Sequence, residues 1–450
     1  MFIACRTIGA AAMLLLLPAH AAAQVTLSLS EAVEQARRQH PRIDAARAAE
    51  EAAANRTEQA GKWANPHALA YQENFPETAP AVDQTIVSVT QRIRIGGQLG
   101  LAKSSAQALR EAATAEVSMT VEQLGLSVQR AYADLYRVQE SLRALDEARP
   151  TIDRLVQDLD VRVREGDASR FDLLRMQLAR DAIRADRARL RAAQQAGWQR
   201  LVFLTGLAVP DAGWLLENSA GTTYGPPPLR DPPIPGAPDA PQVSPAPGAS
   251  GSPDAPVLSS GSPPAVVTPA LAQAAADRFD AQALAFRRQA AAARAEAIGK
   301  EAIPDLVATL GYTRLDPAFN GLVWSVGVDV PLFDRKAEAK AAELAEARRL
   351  DREYDALLAE ASSEARAANL EFTELSATLV ELRRGDEPTA LVPIATTAYE
   401  EGEITVTALL DAARAQLDSS FRELELAQAR ADAWFRWRYA SGQYVGGTRQ

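Results

Sequence analysis

Val87-Ser88-Val89-Thr90-Gln91-Arg92-Ile93-Arg94-Ile95 and, far downstream, Leu322-Val323-Trp324-Ser325-Val326-Gly327-Val328-Asp329-Val330 are the stretches on which the fold turns. Val87, Val89, Ile93 and Ile95 alternate with Ser88, Thr90, Arg92 and Arg94, and the even positions from Leu322 to Val330 alternate with Val323, Ser325, Gly327 and Asp329. A period of two marks a strand with one apolar and one polar face. Leu306, Ala308, Leu310 and Tyr312 form a third such set, and Leu69, Tyr71 and Phe75 a fainter fourth. Segments of about 9 to 11 residues patterned this way suit an outer-membrane barrel, apolar towards lipid and polar towards the lumen. Four strands cannot close a barrel, and an open edge in lipid leaves backbone groups unpaired at several kcal/mol each. Several chains must pool their strands; three would supply twelve.

Outward from these strands, the same landmarks recur in the same order about 237 residues apart, the signature of a duplicated unit. Gly61-Lys62 followed by Asn65-Pro66 matches Gly299-Lys300 followed by Ile303-Pro304, and Pro150-Thr151 matches Pro388-Thr389. Glu165-Gly166, Leu173-Leu174, Trp198 and Gly206 match Glu401-Gly402, Leu409-Leu410, Trp434 and Gly442. Residues 226–269 hold 15 of the 27 prolines with many Gly, Ser and Ala, a composition that cannot bury a core and reads as a linker. The expected division is a first repeat at 24–225 (helix, β-hairpin, long helix, helix), the linker, and a second repeat at 270–450.

Helices are expected at 29–64, opened by Ser30 as N-cap, and at 97–164 and 167–206, then at 270–302, 335–400 and 404–442. Val117, Val121, Leu124, Val128, Ala131, Leu135, Val138, Leu142 and Leu145 alternate spacings of four and three, and Leu358, Ala361, Ala365, Ala368, Phe372, Leu375, Leu379 and Leu382 repeat that register; both are coiled-coil seams. The long helix spans about 100 Å at ~1.5 Å per residue, so it can lie beside two shorter helices stacked end to end. Pro150 and Pro388 predict kinks, and Arg164-Glu165-Gly166-Asp167 and Glu401-Gly402-Glu403 are turns with glycine as the cap.

Composition removes other classes. Met1 to Ala23 has the basic start, apolar run and small-residue end of a secretory signal. The single cysteine, Cys5, lies inside it, so no disulfide, thiolate metal site or acyl anchor on cysteine is expected. A formal charge of −10 without a basic face argues against nucleic acid. No later stretch approaches the ~20 apolar residues of a spanning helix. No catalytic set, phosphate loop or cofactor motif is present. His40 and His67 have no second ligand at metal spacing and read as surface or capping residues.

The chain resembles the TolC-like outer membrane efflux protein family, on the duplication, the Asn65-Pro66 and Ile303-Pro304 junctions and the strand-to-helix junctions. Thr90 to Gln98 and Val330 to Arg335 resemble two signatures of its CzcC-like, heavy-metal branch, with Gln98 in place of a basic residue and Lys336 in place of Asn. The resemblance implies a mixed α and β membrane protein: a homotrimer whose twelve-strand β-barrel, four strands per chain, sits in outer-membrane lipid and continues into a periplasmic α-helical coiled-coil barrel. It implies a periplasmic adaptor (membrane fusion) protein and an inner-membrane proton-driven transporter as partners, and passive conduction of heavy-metal cations. Drug efflux or type I secretion through the same duct is the alternative within the class; a periplasmic coiled-coil scaffold or adaptor is the alternative outside it.

By the same resemblance Arg164, Glu165, Gly166, Asp167, Tyr399, Glu401, Gly402 and Glu403 form the adaptor-docking tip, with Asp172 and Asp411 at the periplasmic aperture. Ile404 and Ala408 replace the family's tip arginine and second aspartate. Rings of Asp172 and Asp411 in a threefold assembly would favour cations at a constriction. Arg92, Arg94 and Asp329 fall on the polar strand face as lumen residues, and Trp63, Tyr71, Tyr312 and Trp324 near strand ends suit an aromatic belt. Trp198, Trp434 and Trp437 read as core.

Overall fold

The computed structural model describes residues 25–75, 82–210, 213–216, 269–316, 319–331, 333–383 and 387–443. The signal at 1–23 and all of the linker but Pro269 lie outside them.

The first half runs β1 (Val25–Leu27), α1 (Leu29–Gln39), α2 (Pro41–Ala60), β2 (His67–Phe75), β3 (Val82–Ile93), α3 (Gln98–Glu165), α4 (Arg170–Thr205) and β4 (Trp214–Leu216). The second runs α5 (Pro269–Ala276), α6 (Phe279–Lys300), β5 (Asp305–Asp316), β6 (Phe319–Asp329), α7 (Ala337–Arg383), α8 (Glu387–Glu400) and α9 (Val406–Ala440). The order of two helices, a hairpin and further helices thus recurs.

Local chemistry explains where several expected boundaries move. Ser28, not Ser30, caps α1, because Glu31 at the third helical position returns its carboxylate to the Ser28 N–H at 3.0 Å and closes a capping box. The helix expected over 29–64 breaks at His40-Pro41: a residue before proline is held extended, and His40 sits at φ −76°, ψ 126°. Its Nδ1 then accepts the Arg42 N–H at 3.1 Å, the capping role read for it. The helix expected over 270–302 divides into α5 and α6, with Arg278 extended at the N-cap of α6. The helix expected over 335–400 is two, since α7 ends at Arg383 and α8 starts at Glu387. Pro388 falls in the first turn of α8, where its missing N–H breaks no helical bond. Pro150, by contrast, lies inside an unbroken 68-residue α3.

The heptad seam of α3 is buried from Leu124 through Leu145, and in α7 the same register buries Ala361, Ala365, Ala368 and Leu379. Leu382, at the end of that register, is exposed because α7 stops one residue later. Near the sheet the helices lie side by side in the order α2, α3, α6, α7; farther away the order is α4, α3, α9, with α7 and then α8 beyond α9. Gln98 starts α3 buried, its Nε2 donating to the Lys300 carbonyl at the end of α6 at 3.0 Å. Trp437 is buried, and the partly buried Trp434 stacks on it with ring centroids 5.0 Å apart.

The two-stranded parallel sheet of β1 and β4 carries no sequence signal, being three residues per strand. Gln139 of α3 holds it, donating to the Trp214 carbonyl at 2.7 Å and accepting from the Leu216 N–H at 3.2 Å. The Tyr132 hydroxyl donates to the Leu27 carbonyl at 2.6 Å. Around it Val33, Ile43, Val128, Leu135 and Leu201 close a core, each fully buried apolar side chain stabilising by roughly 1.5–3 kcal/mol. Trp198 packs on its margin.

The four long strands form one antiparallel sheet in the order β2-β3-β5-β6. β2 and β6 are its open edges.

Candidate functional site

Two regions hold the residues singled out by sequence: the sheet and the helix turns at the opposite end of α3. Register assigns the sheet's faces, because residues directly paired across antiparallel strands project to the same side. Ala68, Val89, Leu310 and Trp324 form one row, and Ala70, Val87, Tyr312 and Leu322 the next. Val87, Val89, Leu310, Tyr312, Leu322, Trp324, Val326 and Val328 are all exposed, although no water-soluble fold gains from presenting such a band. The opposite face carries Ser88, Thr90, Arg92, Thr309, Gly311, Thr313, Ser325, Gly327 and Asp329. There the Thr90 and Thr309 hydroxyls bond at 2.9 Å. Gly311 is required, since a Cβ would stand 2.8 Å from the Val87 carbonyl.

One sequence assignment is reversed. Leu69 and Tyr71 pair with Ser88 and Ile86 and so lie on the polar face; Ala68 and Ala70 hold the apolar positions of β2. Arg92 and Asp329, read as lumen residues, do meet, at 2.7 Å. Arg94 follows the end of β3 and has no ion pair among the described residues. Trp324 and Tyr312 are exposed within the apolar band, whereas Trp63, more than half exposed, sits at the helix–strand junction.

At the other end both turns close with the same hydrogen-bond pair. The Gly166 N–H donates to the Val163 carbonyl at 3.3 Å and the Asp167 N–H to that of Arg162 at 2.8 Å; the Gly402 N–H donates to Tyr399 at 3.1 Å and the Glu403 N–H to Ala398 at 2.8 Å. Gly166 and Gly402 adopt φ 90° and 79°, the left-handed cap geometry. Ser169 and Thr405 then cap the returning helices α4 and α9. A shared core of Leu155, Leu159, Leu173, Met176, Leu409 and Leu410 fixes the two hairpins side by side.

On this base Asp411 of α9 faces Arg175 of α4 at 3.6 Å, joining the hairpins, while Asp172 in the first turn of α4 has no ion pair among the described residues. Tyr399 packs on the shared core; its hydroxyl accepts from Arg162 at 3.5 Å and its ring lies 5.7 Å from that guanidinium. Arg164 pairs with Asp160 on its own helix. Glu401, Gly402 and Glu403 are exposed, as are Glu165, Gly166 and Asp167. Arg162 and Arg175 were not singled out by sequence. Each stands about one turn from a residue that was, but only the packing of α3/α4 on α8/α9 shows which partner it meets.

No protein-family model and no curated protein matches the chain. Solved structures share its fold. The chain superimposes on CusC, described through conformational changes accompanying folding and transmembrane channel formation, with a TM-score of 0.71 and 13% identity over 92% of each chain. For the outer-membrane channel OprN the TM-score is 0.70 at 18% identity, over 92% of this chain and 90% of the other. For the outer membrane protein VceC from Vibrio cholerae it is 0.68 at 17% identity, over 92% and 96%. The fold is therefore the TolC-like one that the sequence resembled, shared along almost the whole chain.

Proposed function

We propose that this protein is the outer-membrane exit duct of a tripartite efflux system. The observation that carries the reading is the sheet: four strands with a continuous exposed apolar face, a polar opposite face and two open edges. Such an edge is tolerated in lipid only when another chain completes it. β6 of one copy joins β2 of the next, and three copies make a twelve-strand barrel. The helices repeat the arrangement, since among the described residues α2 and α4 end the helical layer on one flank and α7 and α8 end it on the other. Residues 24–225 and 270–450 are two copies of one unit joined by the 226–269 linker, and 1–23 is removed on export.

In this reading the barrel stands in the outer membrane and the helices enclose a periplasmic tube ending at Gly166 and Gly402. A periplasmic adaptor docks there, and an inner-membrane proton-driven transporter delivers the cargo. Conduction is passive and the chain catalyses nothing. Heavy-metal cations are the favoured cargo, on the Thr90–Gln98 and Val330–Arg335 segments and on carboxylates Asp172 and Asp411 at the aperture. The Asp411–Arg175 pair and the Arg162–Tyr399 contact hold the resting tip closed.

The test is extraction of the protein from outer membranes in mild detergent with single-channel recording in a planar bilayer. A trimer of low conductance that rises in Asp172→Ala and Asp411→Ala supports duct and gate. A soluble monomer or dimer without conductance leaves the periplasmic scaffold instead. A transporter of drug or protein-secretion type co-purifying with the trimer moves the cargo without touching the duct.

A further inference from the structure

Where α2 gives way to β2 and β3 to α3, a cavity of about 380 Å³ is lined by Gln59, Lys62, Trp63, Asn65, Arg92 and Arg94, among others. Its wall carries three cations and no carboxylate. Arg92 shares its charge with Asp329 at 2.7 Å, but Lys62 and Arg94 have no side-chain acceptor among the described residues. The chain as a whole is acidic, at −10, and elsewhere on the helices most arginines meet a carboxylate on their own or the facing helix, as Arg130 meets Asp432 at 2.6 Å and Arg288 meets Asp351 at 2.6 Å. Lys62 and Arg94 instead converge on one cleft with no carboxylate in its wall.

Their chemistry is that of an oxyanion site. The Arg94 fork presents parallel N–H donors to two oxygens of one group, and the Lys62 ammonium adds a point charge. The Gln59 and Asn65 amides are further donors, and the exposed indole of Trp63 forms an apolar, amphipathic wall. A single inorganic anion occupies a small fraction of such a volume, which leaves room for a second phosphate or an organic body.

We propose that this cleft, on the lumen side of the strands, binds a free polyphosphate-type oxyanion through Lys62, Arg94 and Arg92. The proposal rests on the duct reading only for placing the cleft at the foot of the barrel; the binding itself does not require conduction.

The test uses the full-length trimer in neutral detergent. Pyrophosphate binding is measured by calorimetry, and retention of phosphatidylglycerol against phosphatidylcholine by native mass spectrometry, for wild type, Lys62→Gln/Arg94→Gln and the charge-conserving Lys62→Arg. Pyrophosphate bound by wild type, weakened at least tenfold in the double variant and kept in Lys62→Arg, supports a free-anion site. Phosphatidylglycerol retained selectively by wild type and lost in the double variant puts the cleft on the lipid side of the barrel and overturns the proposal. No binding of pyrophosphate, or binding that the double variant leaves unchanged, likewise overturns it. The mass and heat-modifiability of the double variant show that it still assembles, so misfolding is not mistaken for loss of the site.

Discussion

Leu310 stands near the middle of β5, paired with Val89 on one side and Trp324 on the other, and is 62% exposed. If water covers that surface, Leu310→Arg changes stability by no more than about 0.5 kcal/mol, the usual effect of an exposed substitution. If lipid covers it, an arginine near the bilayer midplane costs about 2–4 kcal/mol per copy. Over three copies that sums to roughly 6–12 kcal/mol, comparable with the whole stability of a typical fold. Ser325 is the internal control, being on β6 next to Trp324 but on the opposite, polar face. Ser325→Arg places the same charge in the lumen, where it alters ion selectivity and leaves insertion intact. The assay is the yield of heat-modifiable trimer in outer-membrane fractions, with folding into liposomes for both variants. Leu310→Arg is expected to be lost and Ser325→Arg recovered at wild-type level. Recovery of both at full yield would remove the sheet from lipid, and loss of Ser325→Arg alone would invert its faces.

Four further outcomes follow from the geometry. Leu409 is fully buried beneath both tip turns, so Leu409→Ala should cost about 2–5 kcal/mol and open the tip to protease, read by calorimetry and limited proteolysis; an unchanged melting temperature would displace that core. Gly402→Ala should lose about 1 kcal/mol through its positive φ alone, no atom lying near the added Cβ, whereas Gly100→Ala in open helical surroundings should gain about 0.4–1 kcal/mol; equal shifts in chemical denaturation would contradict this. Arg175 and Asp411 are both more than a third exposed, so Asp411→Asn should shift stability by less than about 1 kcal/mol while raising conductance, and a large loss of stability would make the pair structural. Burial holds the Glu122 carboxyl above the ordinary glutamate value, against the opposing pull of Arg37 at 3.0 Å and of Arg438. The folded state then binds that proton more tightly, so stability falls as pH rises from the unfolded to the folded value of this group; Glu122→Gln should flatten that slope on the alkaline side of the usual glutamate range, and an identical slope in the variant would exclude Glu122 as its source.

Patterns that depend on one periodicity were readable from residues alone. The 68-residue α3, its buried seam from Leu124 to Leu145 and the apolar faces of β3, β5 and β6 follow from spacings of three, four and two. The misreadings differ in cause: the break before Pro41 and the Ser28–Glu31 capping box are local signals present in the sequence, whereas the face of β2 depends on a pairing not visible along the chain. Ser30 looks like a cap until Glu31 is seen to reach back to Ser28. Leu69 and Tyr71 look like the outer face of β2 until the register with β3 puts Ala68 and Ala70 there. The tip turns were legible because glycine at positive φ is a local requirement, and both close as expected. Their partners were not, because the contacts from Arg162 to Tyr399 and from Arg175 to Asp411 join segments more than 230 residues apart. An arginine on a helix carries no mark of which distant side chain it will face.

In the proposed duct the number of copies is constrained from both ends of the molecule at once, because the sheet and the helical layer both end in open edges. Each copy adds four strands above and about four helix widths below. Eight strands, from two copies, form a barrel whose interior side chains fill. Twelve strands at ~4.8 Å spacing and a tilt near 40° have a perimeter of about 75 Å, hence a backbone diameter of about 24 Å, enough for a wet lumen. Twelve helices at ~9 Å spacing have a perimeter of about 110 Å and leave a bore near 25 Å once the ~10 Å helix diameter is subtracted. Three is thus the smallest number of copies that opens the barrel, and at that number the helical tube below it is open too. The proposed continuous duct needs both conditions, and four strands with about four helix widths per copy meet them at one copy number.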